Sequence, residues 1–241
     1  MTGHRILSGM DARLRVARWR GDPTTAYLTP SRSGRPSVTA VERCLGELPR
    51  DGYTAAITAA LPGIDQLPFL QTGFVVHERL HLLRRSLEDL PEPEPPDVEL
   101  RRSRHAERAA VLAVDAAAFP PFWRLDDAGL DDALGATPSA RLRVAAVAES
   151  DAPVIGYAVT GRAGPRGYLQ RLAVDPAAQG AGVGAALVAD GLRWLRRWGA
   201  KEVLVNTQES NTAAVRLYER LGFQMQTDGL AVLRRGLDEP S

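Results

Sequence analysis

The spacing of hydrophobic positions changes period several times along the chain, and each change marks an element. Residues 184–198 carry Leu187, Val188, Leu192, Leu195 and Trp198 on one face at helical spacing, which predicts an amphipathic helix. Residues 104–118 repeat that period through Ala110, Val111, Val114 and Ala118. Between these helices, short runs at 98–102, 141–148, 154–160, 168–174 and 201–206 read as strands. Glu149-Ser150-Asp151-Ala152-Pro153 reads as the hairpin turn joining two of them. Residues 211–221 read as a further helix and 224–235 as a closing strand region. Strands and helices in this order predict a mixed α/β fold around a central sheet.

The first third of the chain echoes the last. Residues 53–61 read as a strand, a helical stretch ends in Leu67-Pro68-Phe69-Leu70-Gln71-Thr72-Gly73-Phe74, and a strand over 75–85 closes on Leu83-Arg84-Arg85. Leu217-Tyr218-Glu219-Arg220-Leu221-Gly222-Phe223 and a strand closing on Leu233-Arg234-Arg235 follow about 150 residues later. On so short a match, duplication and chance both stay open. Between the two parts, Glu88-Asp89-Leu90-Pro91-Glu92-Pro93-Glu94-Pro95-Pro96 alternates proline with acid, which favours an extended, semi-rigid spacer. The chain is therefore expected to divide into 1–90, a linker at 91–96, and a second domain at 97–241.

Composition narrows the function. With 241 residues, 44% hydrophobic and 24% charged, the chain is an ordinary globular one. A net charge of +1 provides no global field for nucleic acid or an anionic membrane. Cys44 is the lone cysteine, so an intramolecular disulfide and a Cys-based zinc cluster are excluded, and it reads as a small buried apolar residue, with a reactive thiol as the alternative. No apolar run approaches the roughly 20 residues of a membrane span, and the first 20 residues lack a signal-peptide core. A cytoplasmic protein is expected. Lys201 is the lone lysine among many arginines, which reads as a GC-rich bacterial genome.

The strongest chemical signal runs from Leu172-Ala173-Val174-Asp175-Pro176 through Gln179-Gly180-Ala181-Gly182-Val183-Gly184. A strand ends, proline forces a turn, and a glycine-rich loop opens directly into a helix. Glycines let the main chain approach an anion, and the helix start offers unpaired N–H groups and partial positive charge. A plain strand-to-helix turn needs one glycine, whereas three stand here at alternate positions. Gly180-x-Gly182-x-x-Ala185 also fits the relaxed dinucleotide fingerprint. Against that reading, Asp175 to Gln179 separate the strand from the first glycine, and too little chain follows for further parallel βαβ units.

These residues resemble the GNAT superfamily of N-acetyltransferases. Val174, Pro176, Gln179, Gly182 and Gly184 match its Val-x-Pro and Gln/Arg-x-x-Gly-x-Gly/Ala pattern, and Asn211, Ala214, Leu217, Tyr218, Gly222 and Phe223 match its Asn-x-x-Ala-x-x-Leu-Tyr-x-x-x-Gly-Phe pattern. The resemblance covers residues 98–237, while 1–90 is similar to only the latter half of such a fold, in decayed form. It implies a twisted, mostly antiparallel sheet with helices on both faces and a V-shaped split between strands 168–174 and 201–206. It implies acetyl-CoA as co-substrate, an amine as acceptor, no metal, and a monomer or homodimer. The main chain of Leu172, Ala173 and Val174 would pair with the pantetheine arm. The N–H groups of Gly180, Ala181, Gly182, Val183, Gly184 and Ala185 would hold the pyrophosphate, with Gln179 and Ala214 belonging to the same site. Asn211 would bond the pantetheine, or serve only as a helix cap, and Tyr218 would sit beside the thioester sulfur and protonate it on leaving, or serve only as a packed aromatic.

Departures from the pattern matter as much. The two positions where family members carry a general-base Glu hold Tyr168 and Asn206. Glu209 is expected to cap or face solvent, and His105 lies far from the motifs. Phe119 to Trp123 read either as an acceptor wall or as core. Phe69 occupies the place of Tyr218 in the N-terminal echo, and Arg32-Ser33-Gly34-Arg35-Pro36 lacks the alternating glycines, so that half is expected to bind no CoA. The missing base keeps a rival open, a non-catalytic acyl-CoA-binding or partner-binding module.

Overall fold

The computed structural model describes residues 5–6, 14–20, 22–30, 34–94, 96–147 and 153–237. In chain order the elements are β1 (Arg5–Ile6), β2 (Leu14–Trp19), β3 (Asp22–Pro30), α1 (Val38–Glu47), β4 (Ala55–Thr58), β5 (Leu61–Pro62), α2 (Gly63–Gln71) and β6 (Val75–Ser86). They continue as β7 (Glu99–Arg102), α3 (Arg108–Ala118), α4 (Asp127–Gly135), β8 (Ser139–Ala146), β9 (Val154–Ala163), β10 (Arg166–Val174), α5 (Val183–Arg197), β11 (Glu202–Gln208), α6 (Thr212–Arg220), β12 (Gln224–Met225) and β13 (Leu230–Gly236). Residues 149–152 of the expected hairpin turn lie outside the described residues.

Two compact units form. One comprises Met1–Leu82, Gln208–Ser210 and Gln226–Ser241, and the other Leu83–Thr207 and Asn211–Met225. In the first, strands follow the order β1-β2-β3-β4-β13-β6. The β3–β4 pair is parallel from Thr25↔Ala55 to Leu28↔Thr58, and its other neighbours are antiparallel. In strand β2, Leu14 and Val16 are buried while Arg15 faces solvent, the signature of a half-buried strand, until a register shift between Arg18 and Trp19 brings Trp19 to a buried position. Helix α1 starts at Ser37, whose hydroxyl accepts from the Ala40 N–H at 3.2 Å, and it buries Val41 and Cys44. Burial pushes the Cys44 thiol up to about 12, so it is an inert packed residue. Leu28, Leu48, Phe69, Phe74 and Leu233 complete this core.

In the second unit the end of β6 is followed by β11, β10, β9, β8 and β7. One core, with Leu169, Leu187, Leu192, Leu195, Val203, Tyr218 and Phe223, packs under α5. Another, with Val111, Val114, Leu130, Val144, Tyr157 and Val159, packs under α3 and α4. The structure departs from the sequence reading at several element ends. The closing region 224–235 breaks into β12 and β13, with Gly229 just before β13, where an added Cβ would lie 2.7 Å from the Leu80 carbonyl. Strand β13 then takes its place between β4 and β6 in the first unit.

The echo between the two parts extends to topology. The series β2-β3-α1-β4-α2-β6 and β9-β10-α5-β11-α6-β13 each run hairpin, helix, parallel strand, helix, strand. Phe69 and Phe74 pack with ring centroids 5.3 Å apart, and Tyr218 and Phe223 at 5.5 Å. The two Leu-Arg-Arg ends work reciprocally. Arg85 Nη1 donates to the Leu221 carbonyl at the end of α6, and Arg235 Nη1 donates to the Thr72 carbonyl at the end of α2. Each arginine thus satisfies an orphan carbonyl at the helix end of the other series.

Candidate functional site

Strand β10 has different neighbours on its two edges. It pairs antiparallel with β9 along its whole length, from Arg166↔Ala163 to Val174↔Gly156. With β11 it pairs in parallel only through Arg166↔Glu202, Gly167↔Val203 and Tyr168↔Leu204. Past Tyr168 the two strands part, leaving the β11-facing main chain of Leu169 to Val174 without a strand partner among the described residues. In the first unit the matching pair β3–β4 stays joined to its end, and the Ala59 N–H continues the ladder to the Leu28 carbonyl at 2.9 Å.

The glycine loop is built by local hydrogen bonds. Asp175 Oδ1 accepts from the Ala177 N–H at 2.9 Å, and Gln179 Nε2 donates to the Val174 carbonyl at 3.1 Å, tying the loop to the strand end. Gly180 and Gly182 have φ of +82° and +81°, left-handed angles that side-chain-bearing residues seldom adopt. Gly182 is the N-cap of α5 and has no side chain to occupy the free N–H groups, whereas Ser37 fills that place on α1. A Cβ on Gly180 would meet open space, and Gln179 to Gly182 are exposed. Val183 is buried, Ala185 half-buried, and Gly184 lets Leu217 of α6 approach, its Cδ2 standing 3.3 Å from an added Cβ. An uncapped helix start behind two left-handed glycines has the geometry in which main-chain N–H groups can hold an anion.

Helix α6 supplies the other motif. Asn211 caps it, Oδ1 accepting from the Ala214 N–H at 3.1 Å, which leaves the Nδ2 donors for another partner. Ala214 and Leu217 pack against the α5 core, as do Leu172 and Val174, while Ala173 packs toward α3. Tyr218 is 5% exposed. Burial raises its hydroxyl above the ordinary phenol range, with the Arg171 charge opposing in part, so Tyr218 stays protonated near neutral pH.

Sequence reasoning missed a buried ionic network. Strand β10 bulges between Leu169 and Arg171, and Arg171 reaches Asp115 through Nε at 2.7 Å and Nη2 at 2.9 Å. Asp115 is fully buried and also accepts from the Tyr157 hydroxyl at 2.6 Å and the Leu125 N–H at 2.7 Å. Arg171 further donates to the Trp123 carbonyl at 2.6 Å and lies 3.5 Å from the Phe119 ring centroid. The segment from Phe119 to Leu125 is thereby fastened to β10, with Phe119, Phe122 and Trp123 half-buried. The available signal was an aspartate on the apolar face of a predicted helix, next to Val111 and Val114.

Asp115, fully engaged by donors, is unavailable as a base. Tyr168 is half-buried and lines a cleft of about 710 Å³ with Arg85, Arg166 and Lys201, toward the end of β10 away from the glycine loop. Asn206, Glu209 and His105 are exposed. Among the described residues no group of three or more His, Cys, Asp or Glu is placed to hold a metal, and no helix is long and apolar enough to cross a membrane.

Residues 91–223 match the acetyltransferase (GNAT) family. A mycothiol acetyltransferase of Frankia alni is 34% identical over 235 residues, covering 84% of this chain and 66% of the relative. One from Streptomyces avermitilis is 38% identical over 160 residues, covering 63% and 52%. The chain thus spans just under two thirds of the first relative's length and about half of the second's. Among solved structures, a GCN5-related N-acetyltransferase from Sphaerobacter thermophilus superposes with a TM-score of 0.64 at 16% identity, over 95% of this chain and 78% of that one. A tandem GNAT protein from the clavulanic acid biosynthesis pathway gives 0.66 at 14% identity, over 95% and 79%.

Proposed function

The chain belongs to the acetyltransferase (GNAT) family, and from that premise we propose that it transfers an acetyl group from acetyl-CoA to a primary amine. One observation carries the reading. Two copies of the same strand–helix–strand series occur, and one alone has parted strands ending at an uncapped, glycine-lined helix start. Packing needs neither feature, since the other copy lacks both.

The residues present fit the co-substrate. Leu172, Ala173 and Val174 would hold the pantetheine through their main chain, as an added strand, and Asn211 would reach it through Nδ2. The N–H groups of Gly180 to Ala185 would hold the pyrophosphate, with room where Gly180 lacks a Cβ. When bound, acetyl-CoA supplies the thioester carbonyl that the amine attacks. Tyr218 holds a proton that burial keeps on its oxygen and gives it to the sulfur as the carbon–sulfur bond breaks. With Tyr168 and Asn206 at the two base positions, the amine arrives neutral or loses its proton to water.

The relatives named mycothiol acetyltransferases make the unacetylated precursor of mycothiol the first acceptor to test, beside small amines and peptides. The absent base favours a second reading, an acyl-CoA-binding module without turnover. Release of free CoA thiol with each acceptor separates the two. Acceptor-dependent release supports the enzyme, and tight acetyl-CoA binding with no release across the panel supports the module.

A further inference from the structure

Residues 64–76, running from α2 into β6, and residues 213–225, running from α6 into β12, follow the same order of buried, half-buried and exposed positions throughout. Phe69, Thr72 and Phe74 are buried where Tyr218, Leu221 and Phe223 are buried. The exposed positions differ in chemistry. Ile64, Leu67, Leu70, Val75 and Val76 are 55, 55, 39, 65 and 36% exposed, and they stand where the second series has Ala213, Arg216, Glu219, Gln224 and Met225. At about 3.6 residues per turn, Ile64, Leu67 and Leu70 share one side of α2. The Phe74 N–H donates to the Phe69 carbonyl at 3.1 Å, so β6 begins against the end of that helix. Packing does not require apolar side chains at these places, since the second series is built with Arg216 and Glu219.

We propose that this face is where a second copy of the chain docks. Its apolar surface is on the order of 450 Å², a patch size that in monomers is often functional. It is also more than half of the about 800 Å² that each partner gives to a stable pair. Charge selects the occupant. A two-fold interface sets one patch against itself, so a charge inside it meets its own kind. From Gly63 to Val76 the one charged residue is Asp65, and Arg35 Nε binds it at 2.7 Å. Gln71, the polar member of the face, is uncharged. The matching stretch 212–225 instead holds Arg216, Glu219 and Arg220. A face without net charge has nothing to attract an acidic or basic partner or an anionic membrane, whereas it fits its own image.

Sedimentation equilibrium on the full chain, between about 1 and 100 μM, tests this. Wild type is expected to pass from the mass of one chain to that of two across the range, as suits an interface near the lower size limit. Leu67→Arg and Leu70→Glu take their new side chains from Arg216 and Glu219, which the second series carries at the same exposure. Each should weaken association at least about tenfold while keeping the cooperative thermal transition of wild type. Should either lose that transition, Val75→Gln, a smaller change copied from Gln224, carries the same test. Wild type that stays monomeric at about 100 μM overturns the proposal. A dimer indifferent to these substitutions places its interface elsewhere and overturns it as well.

Discussion

At the scale of the residue, the glycine loop sets which substitutions are informative. Gly180 and Gly182 sit at positive φ, so any side chain there adds backbone strain to its effect on the ligand. Ala181 lies between them, is exposed and has no such constraint. Ala181→Asp therefore places a negative charge beside the cradle while the fold is kept, and it should weaken acetyl-CoA binding by about tenfold in a calorimetric titration; unchanged affinity would remove the cradle from the site. Tyr218→Phe keeps the ring packed on Phe223 and removes only the hydroxyl. It should lower kcat by about 10²-fold, the low end for general acid catalysis, with the acetyl-CoA KM nearly unchanged because the lost contact belongs to the transition state. Since burial raises the Tyr218 pKa, the donor stays protonated throughout the neutral range. The rising limb of kcat/KM should follow the pKa of the acceptor amine. A limb that stays fixed across acceptors of different pKa would reveal a protein base.

At the scale of the element, buried partners decide what local pattern cannot. Asp115 on α3 and Arg171 on β10 lie 56 positions apart in the chain, and no periodicity links them. Breaking the pair leaves a buried charge alone, so Asp115→Ala should cost about 3–5 kcal/mol in chemical denaturation; a loss under 1 kcal/mol would mean the network is dispensable. Glu107 offers a pH test. Its two oxygens accept from Arg101 at 2.9 and 2.5 Å, and Oε2 also accepts from the Arg104 N–H at 2.7 Å. Chiefly through the Arg101 bond, its pKa falls from 4.5 to about 2. A depressed carboxylate pKa stabilises the fold above the unfolded value, and this is lost as pH falls from 4.5 toward 2. Glu107→Gln should thus be less stable than wild type at pH 7, with the gap closing near pH 2. Helix α5, the glycine loop and α6 were legible in the sequence because their signals are local: one apolar face, three alternating glycines, a capping Asn211. In β2 only Leu14 and Val16 alternate before the register shifts at Trp19, too short a pattern to stand out among neighbouring Gly, Asp and Arg. The caps Ser37 and Asp126, which open α1 and α4, are local signals of the same kind and were passed over. The parting of β10 from β11 came from family resemblance alone, because hydrophobic pattern does not encode where two paired strands separate.

At the scale of the whole molecule, each sequence half supplies a strand that the other needs. Strand β13 stands between β4 and β6 in the first unit, hydrogen-bonded to both, and its Leu233 N–H donates to Thr58 Oγ1 at 3.0 Å. A fragment of residues 1–96 lacks that strand and should fail to give a cooperative thermal transition. Adding residues 226–241 as a separate peptide should restore one, and a fragment that folds without the peptide would contradict this. A single parted strand pair also predicts one acetyl-CoA bound per full chain, to be read from calorimetric stoichiometry. Synthesis runs from the N-terminus, so β4 and β6 leave the ribosome about 150 residues before their shared partner, a delay of roughly 10–30 seconds at typical elongation rates. For that interval the two strands present unpaired edges to the cell. Early termination, slow translation or proteolytic loss of the last 16 residues named in the first unit would leave the N-terminal half as a chaperone client. The quality of the first half made is thus decided by the last piece made.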